Sequence, residues 1–193
     1  MLLVAGLGNP GREYAGTRHN AGAAVVEVLA ARAGLEWRRS LRFTARLARW
    51  ERAPGAVCLL ARPTTYMNDS GRAVRALADF HRIPPAAVIA VYDDLTIELG
   101  RIKITQRGSA GGHNGVASLL EHFGGGFLRF RIGIGPKHPP EMDLKDFVLG
   151  KFSPDEQTLF NQQLTTYTDG LGLLIDRGPA EAMNQLNRRD RTS

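Results

Sequence analysis

Apolar positions recur along this chain in two periods, and the switches between them mark out its elements. Leu2-Leu3-Val4-Ala5 is a short continuous apolar run, the pattern of a strand buried on both faces, and it enters a glycine turn. Residues 21–33 change to helical spacing, with Ala23, Val26, Leu29 and Ala30 facing inward and Gly34 as the stop. Residues 43–52 alternate, setting Phe43, Ala45, Leu47 and Arg49 against Thr44, Arg46, Ala48 and Trp50, so a half-exposed strand is predicted. Residues 56–61 read as a more buried one. After Asn68 or Asp69, helical spacing runs over 71–81 through Val74, Leu77 and Phe80, and Pro84-Pro85 ends it before an apolar strand at 87–91. Strands at 101–106 and 128–134 flank a helix at 115–123. Ser153-Pro154-Asp155-Glu156 combines a serine cap, proline in the first turn and a glutamate placed to close a capping box, which predicts a helix to about Ile175; Pro179 opens another.

Alternation of this kind predicts the α/β class: a single domain over residues 1–193, with a twisted, mixed, mostly parallel sheet covered by helices on both faces. The ligand crevice of such a sheet lies at the carboxyl ends of its strands. A length of 193 residues with 43% apolar content supports one sizeable core, and no linker or internal repeat interrupts it. The apolar run at 1–8 is too short to span a membrane and lacks the basic flank and cleavage site of a signal peptide, so a cytoplasmic protein is expected. Cys58 is the only cysteine, which excludes an intrachain disulfide and any cysteine-built metal site. Its apolar neighbours make it a buried hydrophobe. Lys and Arg outnumber Asp and Glu by 25 to 19, a net charge of +6 that favours an anionic partner such as nucleic acid. Scattered arginines on an ordinary soluble surface read the same way.

Candidate chemistry gathers in three turns. Gly6-Leu7-Gly8-Asn9-Pro10-Gly11 leads to Thr17-Arg18-His19-Asn20; Tyr66-Met67-Asn68 and Gly111-Gly112-His113-Asn114-Gly115 follow far along the chain. Imidazoles and carboxamides suit orienting and activating a water against a carbonyl better than covalent catalysis. His19, partly exposed ahead of a helix, is a candidate base, and Asp93 or Asp94 at a strand end would orient it. A loop histidine capping a helix fits equally well. Asn68 and Asn114 at helix entrances are good N-caps, yet amides so placed also donate to an oxyanion. His113 is a second base or a loop brace, and Met67 is packing or pocket lining. Gly6-x-Gly8-x-x-Gly11 matches the bare dinucleotide fingerprint, but no helical repeat begins at the third glycine; instead the turn presents the Asn9 amide, with Tyr14 packing the loop. Arg101, Lys103, Thr105 and Arg107 share one face of their strand, and Arg129 and Arg131 share a face of the next. Aligned, these make a phosphate-binding patch; an ordinary solvated face is the alternative. The five histidines show no metal-ligand spacing.

Taken together and in order over roughly residues 1–150, these blocks, with Gly22, the segment 63–71, Asp93-Asp94-Leu95, the segment 108–115 and Arg131-Ile132-Gly133-Ile134-Gly135, resemble bacterial peptidyl-tRNA hydrolase. The resemblance implies a single α/β domain acting as a monomer on peptidyl-tRNA without cofactor or metal. It implies His19 as general base on water and Asp93 as its orienting group, with Asn9, Asn68 and Asn114 positioning peptide and water or stabilising the oxyanion. Tyr14, Tyr66, Met67 and His113 would bind substrate, and Arg131 would clamp tRNA phosphate; Lys103 and Arg107 extend that patch on the strand-face reading. Basic residues near Lys137, His138 and Lys145 would touch the acceptor arm. Apart from the resemblance, a mobile lid formed by the helices beyond Ser153 is one hypothesis for that segment. Thr105 stands where family members often carry a basic residue. Two alternatives remain at this stage: a non-catalytic RNA-binding protein on the same fold, and a nucleotide-dependent oxidoreductase.

Overall fold

The computed structural model describes residues 1–187, so the expected domain end at 193 lies outside the described residues. Seven strands form one sheet: β1 (Leu2–Gly6), β2 (Arg38–Ser40), β3 (Ala45–Ala53), β4 (Ala56–Pro63), β5 (Val88–Glu98), β6 (Ile102–Thr105) and β7 (Leu128–Gly135), in the order β2-β3-β4-β1-β5-β7-β6. The four central strands are parallel, while β3 and β6 run against their neighbours. The mixed, mostly parallel sheet is therefore as expected.

Helices α1 (Ala21–Arg32), α4 (Leu144–Leu149) and α5 (Pro154–Leu186) cover one face, burying Val26, Phe147, Phe160 and Tyr167 against Val4, Ile89, Val91 and Phe130. Helices α2 (Ser70–Phe80) and α3 (Asn114–Phe123) cover the other, where Val74, Leu77 and Leu119 meet Leu3, Ala5 and Ala90. Odd and even residues of β1 thus enter different cores, as the pleat of a doubly covered strand requires. The capping box at Ser153 and Glu156 is formed, and α5 breaks at Gly178 (φ 79°, ψ 177°) ahead of Pro179, matching the two helices expected there. Among the described residues no helix is long and apolar enough to cross a membrane.

Gly22 decides how the site is assembled. A Cβ there would penetrate the Val91 carbonyl oxygen and crowd Tyr92, so only glycine lets the first turn of α1 rest on the backbone of β5. His19 precedes that turn by two residues. The close approach brings it to the strand end that carries Asp93.

Four differences concern the expected elements. The strand at 87–91 continues to Glu98, α4 and the edge strand β2 were not expected, and α5 does not cover the cleft. Its Phe160, Tyr167, Leu171 and Leu174 are buried in the core, so the expected lid is replaced by a core helix, and the cleft wall comes from α4 instead.

Candidate active site

A cleft of about 880 Å³ opens at the carboxyl ends of β1, β4 and β5, where the fold places its crevice. Asn9, His19, Tyr66, Met67, Asn68, Asp93, His113 and Asn114 all line it, so the three turns do converge. Tyr14 stands behind them, its ring edge-on to Tyr66 at 6.3 Å between centroids. Arg107 and Arg131 lie on the rim with Thr105, whereas Lys103 sits outside the cleft, paired across the sheet with Arg131.

His19 is buried rather than partly exposed, with 6% of its surface accessible. Its Nδ1 lies 3.0 and 3.1 Å from the two Asp93 oxygens. A carboxylate can only accept, so Nδ1 carries the proton and Nε2 keeps a free lone pair. Asp93, not Asp94, is the orienting group. Burial alone would raise the Asp93 carboxyl, but the imidazoles of His113 and His19 outweigh it and hold the group well below its ordinary value. The ionised form is the one that orients His19.

His113 is held through both of its ring nitrogens. Its Nδ1 accepts from the backbone N–H groups of Gly115 (3.1 Å) and Val116 (3.3 Å), capping α3. That leaves the proton on Nε2, which donates to Asp93 Oδ1 at 3.1 Å. With one nitrogen protonated and the other occupied, His113 has no lone pair for a water. Its ring also packs on Tyr92 at 4.9 Å and on His19 at 4.7 Å.

The capping reading of the asparagines is corrected. His113 caps α3 in place of Asn114, Asn68 sits inside the single turn Met67–Asp69, and no side chain caps the start of α2. Among the described residues neither carboxamide has a hydrogen-bond partner, so both remain open to the cleft. Asn9 is half committed: its Oδ1 accepts from Met67 N at 2.7 Å, which turns its two amide N–H donors outward. Asn20, whose role the sequence did not suggest, exchanges hydrogen bonds with the Asn9 backbone at 2.8 and 3.0 Å and ties this turn to α1. The basic sheet face divides likewise. Arg129 is 4% exposed and donates to the Gly108 and Ser109 carbonyls, bracing the glycine loop, while Arg131 pairs with Asp94 at 2.8 Å and is half-buried beside the cleft. Leu95, Leu144, Val148 and Leu149, also unanticipated, make an apolar wall.

The whole chain then finds its relatives. The family model described as peptidyl-tRNA hydrolase matches residues 3–193. The chain belongs to the peptidyl-tRNA hydrolase family. It is similar to the peptidyl-tRNA hydrolases of Gloeobacter violaceus (44% identity, covering 98% of this chain and 95% of the relative) and Clostridium novyi (39%, 97% and 98%). The crystal structure of the peptidyl-tRNA hydrolase from Acinetobacter baumannii superposes with a TM-score of 0.89 at 38% identity, covering 97% of this chain and 94% of that one. A loop without a helix at Gly11, Arg12–Tyr14 being a single turn, agrees with this family and removes the dinucleotide reading.

His19, Asp93 and His113 also form the one set of described side chains whose donor atoms, all within 4.8 Å of one another, could gather round a metal ion. The imidazole nitrogens that such an ion would need are those protonated toward Asp93.

Proposed function

We propose that this chain hydrolyses the ester between a peptide and the 3′-terminal ribose of tRNA, and that His19 drives the reaction as general base. The observation that carries the mechanism is the buried His19–Asp93 pair, which leaves a single lone pair, on Nε2, facing a cleft edged with unpaired amides. Nε2 takes a proton from a water as that water attacks the ester carbonyl. Asp93 steadies the imidazolium so formed, and the imidazolium returns the proton to the departing ribose oxygen. Carboxamide N–H groups of Asn9, Asn68 and Asn114 meet the oxyanion or the peptide backbone, and because amides do not titrate, they do so alike for any peptide sequence.

Tyr66 and Met67 line the peptide side of the cleft, with Tyr14 supporting Tyr66. Arg131, Arg107 and, beyond the rim, Lys103 offer the charge for tRNA phosphates. The catalytic groups named all come from one chain and meet around one cleft, which supports a single domain working as a monomer, and a substrate made by ribosomes fits a cytoplasmic setting. No cofactor enters these steps.

Turnover decides the reading. The protein should release tRNA from N-acetylaminoacyl-tRNA much faster than from the unblocked aminoacyl form, and His19→Ala should slow release about 100-fold or more. Tight tRNA binding with no release would instead leave a non-catalytic RNA-binding protein.

A further inference from the structure

Helix α4 forms much of the apolar cleft wall through Leu144, Val148 and Leu149, yet it has only six residues and cannot hold itself in place. Phe147 anchors it in the core, and its carboxyl end is tied down by Arg18, the neighbour of His19. The Arg18 backbone N–H donates to Gly150 O at 3.0 Å, and Nη1 donates to Phe147 O (3.3 Å) and Lys151 O (2.9 Å), all at the carboxyl end of α4. Nη2 meets Glu156 Oε2 at 2.5 Å, and the same oxygen accepts from Ser153 N in the cap of α5. The guanidinium also lies over the Phe147 ring at 4.4 Å from its centroid. So dense a set of contacts on a side chain only 10% exposed is more than local folding of the His19 turn requires.

We propose that Arg18 is a positioning residue for the peptide part of the substrate: it latches the α4 wall to the catalytic turn and so sets how firmly an apolar side chain on the peptide's last residue is gripped. The inference rests on the proposed function, since the wall needs a peptide to grip. His19 has its own tie to Asp93, so loosening the latch affects side-chain recognition more than the chemical step.

The test compares N-acetylphenylalanyl-tRNA with N-acetylglycyl-tRNA. Arg18→Lys keeps a charge but cannot span carbonyls and carboxylate together. It should lower kcat/KM about tenfold for the phenylalanyl substrate, the order expected when a side chain loses its apolar wall, and much less for the glycyl one. Thr17 and Lys151 pair across an antiparallel bridge, close enough for a disulfide. Adding Thr17→Cys and Lys151→Cys to Arg18→Lys should restore the ratio between substrates when oxidised and lose it when reduced. If Arg18→Lys does not fold, Glu156→Gln should move the ratio in the same direction by a smaller factor. Equal losses on both substrates, or a ratio indifferent to the disulfide, would overturn the proposal. Wild-type protein that turns over neither substrate would overturn the functional reading instead.

Discussion

Replacing Asp93 with asparagine exchanges one carboxylate oxygen for an NH2 group and should reverse a hydrogen bond at the centre of the site. Asp93 accepts from two imidazoles, His19 Nδ1 at 3.0 Å and His113 Nε2 at 3.1 Å. An amide has one oxygen, and His113 has first claim on it: its Nδ1 is occupied by the Gly115 and Val116 N–H groups, so its Nε2 must donate. The new NH2 is then left facing His19 Nδ1, which has to become the acceptor, and the His19 proton moves to Nε2. The base has lost its lone pair to the wrong tautomer. The corresponding exchange in a Ser-His-Asp triad costs about 10⁴ in kcat, so a loss of about 10³–10⁴ is expected here, or about 4–5.5 kcal/mol of transition-state stabilisation. Single-turnover release from N-acetylaminoacyl-tRNA reads it directly. Asp93→Ala makes the comparison sharp. It removes more of the side chain but leaves room for a water that can accept from both imidazoles, so it should retain more activity than Asp93→Asn. An asparagine variant within tenfold of wild type, or more active than the alanine variant, would refute the tautomer argument.

Three further outcomes follow from contacts away from the reacting atoms. Gly22→Ala should cost about 2–3 kcal/mol through overpacking against Val91, and Tm should fall by about 5–10 °C; an unchanged Tm in a melting scan would count against the close approach. The Cys58 thiol is pushed up to about 12 by burial, so a thiolate-specific disulfide reagent at pH 8 should label unfolded protein only, and rapid labelling of the native form would contradict that. Burial opposes ionisation of Asp94, but bonds from Thr96 and Arg131 prevail and hold it below its ordinary value. A carboxyl lowered by folding stabilises the protein above its unfolded pKa, near 3.9, and loses that contribution as pH falls through the folded value. Urea unfolding should therefore show stability declining below about pH 4, and Asp94→Asn should flatten part of that decline.

How much of this was legible in the chain depended on whether a role is local or paired. Buried faces leave a period behind them, so β1, α1, α2, α3 and β7 could be read close to their observed bounds. The six-residue α4 and the Arg38–Ser40 edge strand carry too few apolar positions to establish one. The end of β5 was missed for another reason: Asp93 and Asp94 read as the polar end of the strand, yet the sheet runs on past them, each carboxylate finding its partner there. The pleat then separates two neighbours that local chemistry could not rank, sending Asp93 to His19 and Asp94 to Arg131. Preference for asparagine at helix starts pointed to Asn114 as a cap, but the imidazole of His113 performs that task, which is what leaves the Asn114 amide unspent. Arg129 and Arg131 share a face as alternation required, and still only the fold distinguishes the buried brace from the half-buried cation paired with Asp94. Arg18 is the extreme case. Its partner Glu156 lies 138 residues away and is legible only as half of a capping box, so no window around either residue contains the pair. Residues that act through neighbours in sequence can be found by pattern; those that join distant segments acquire their role from the fold, and in this protein they determine where the patterned residues meet.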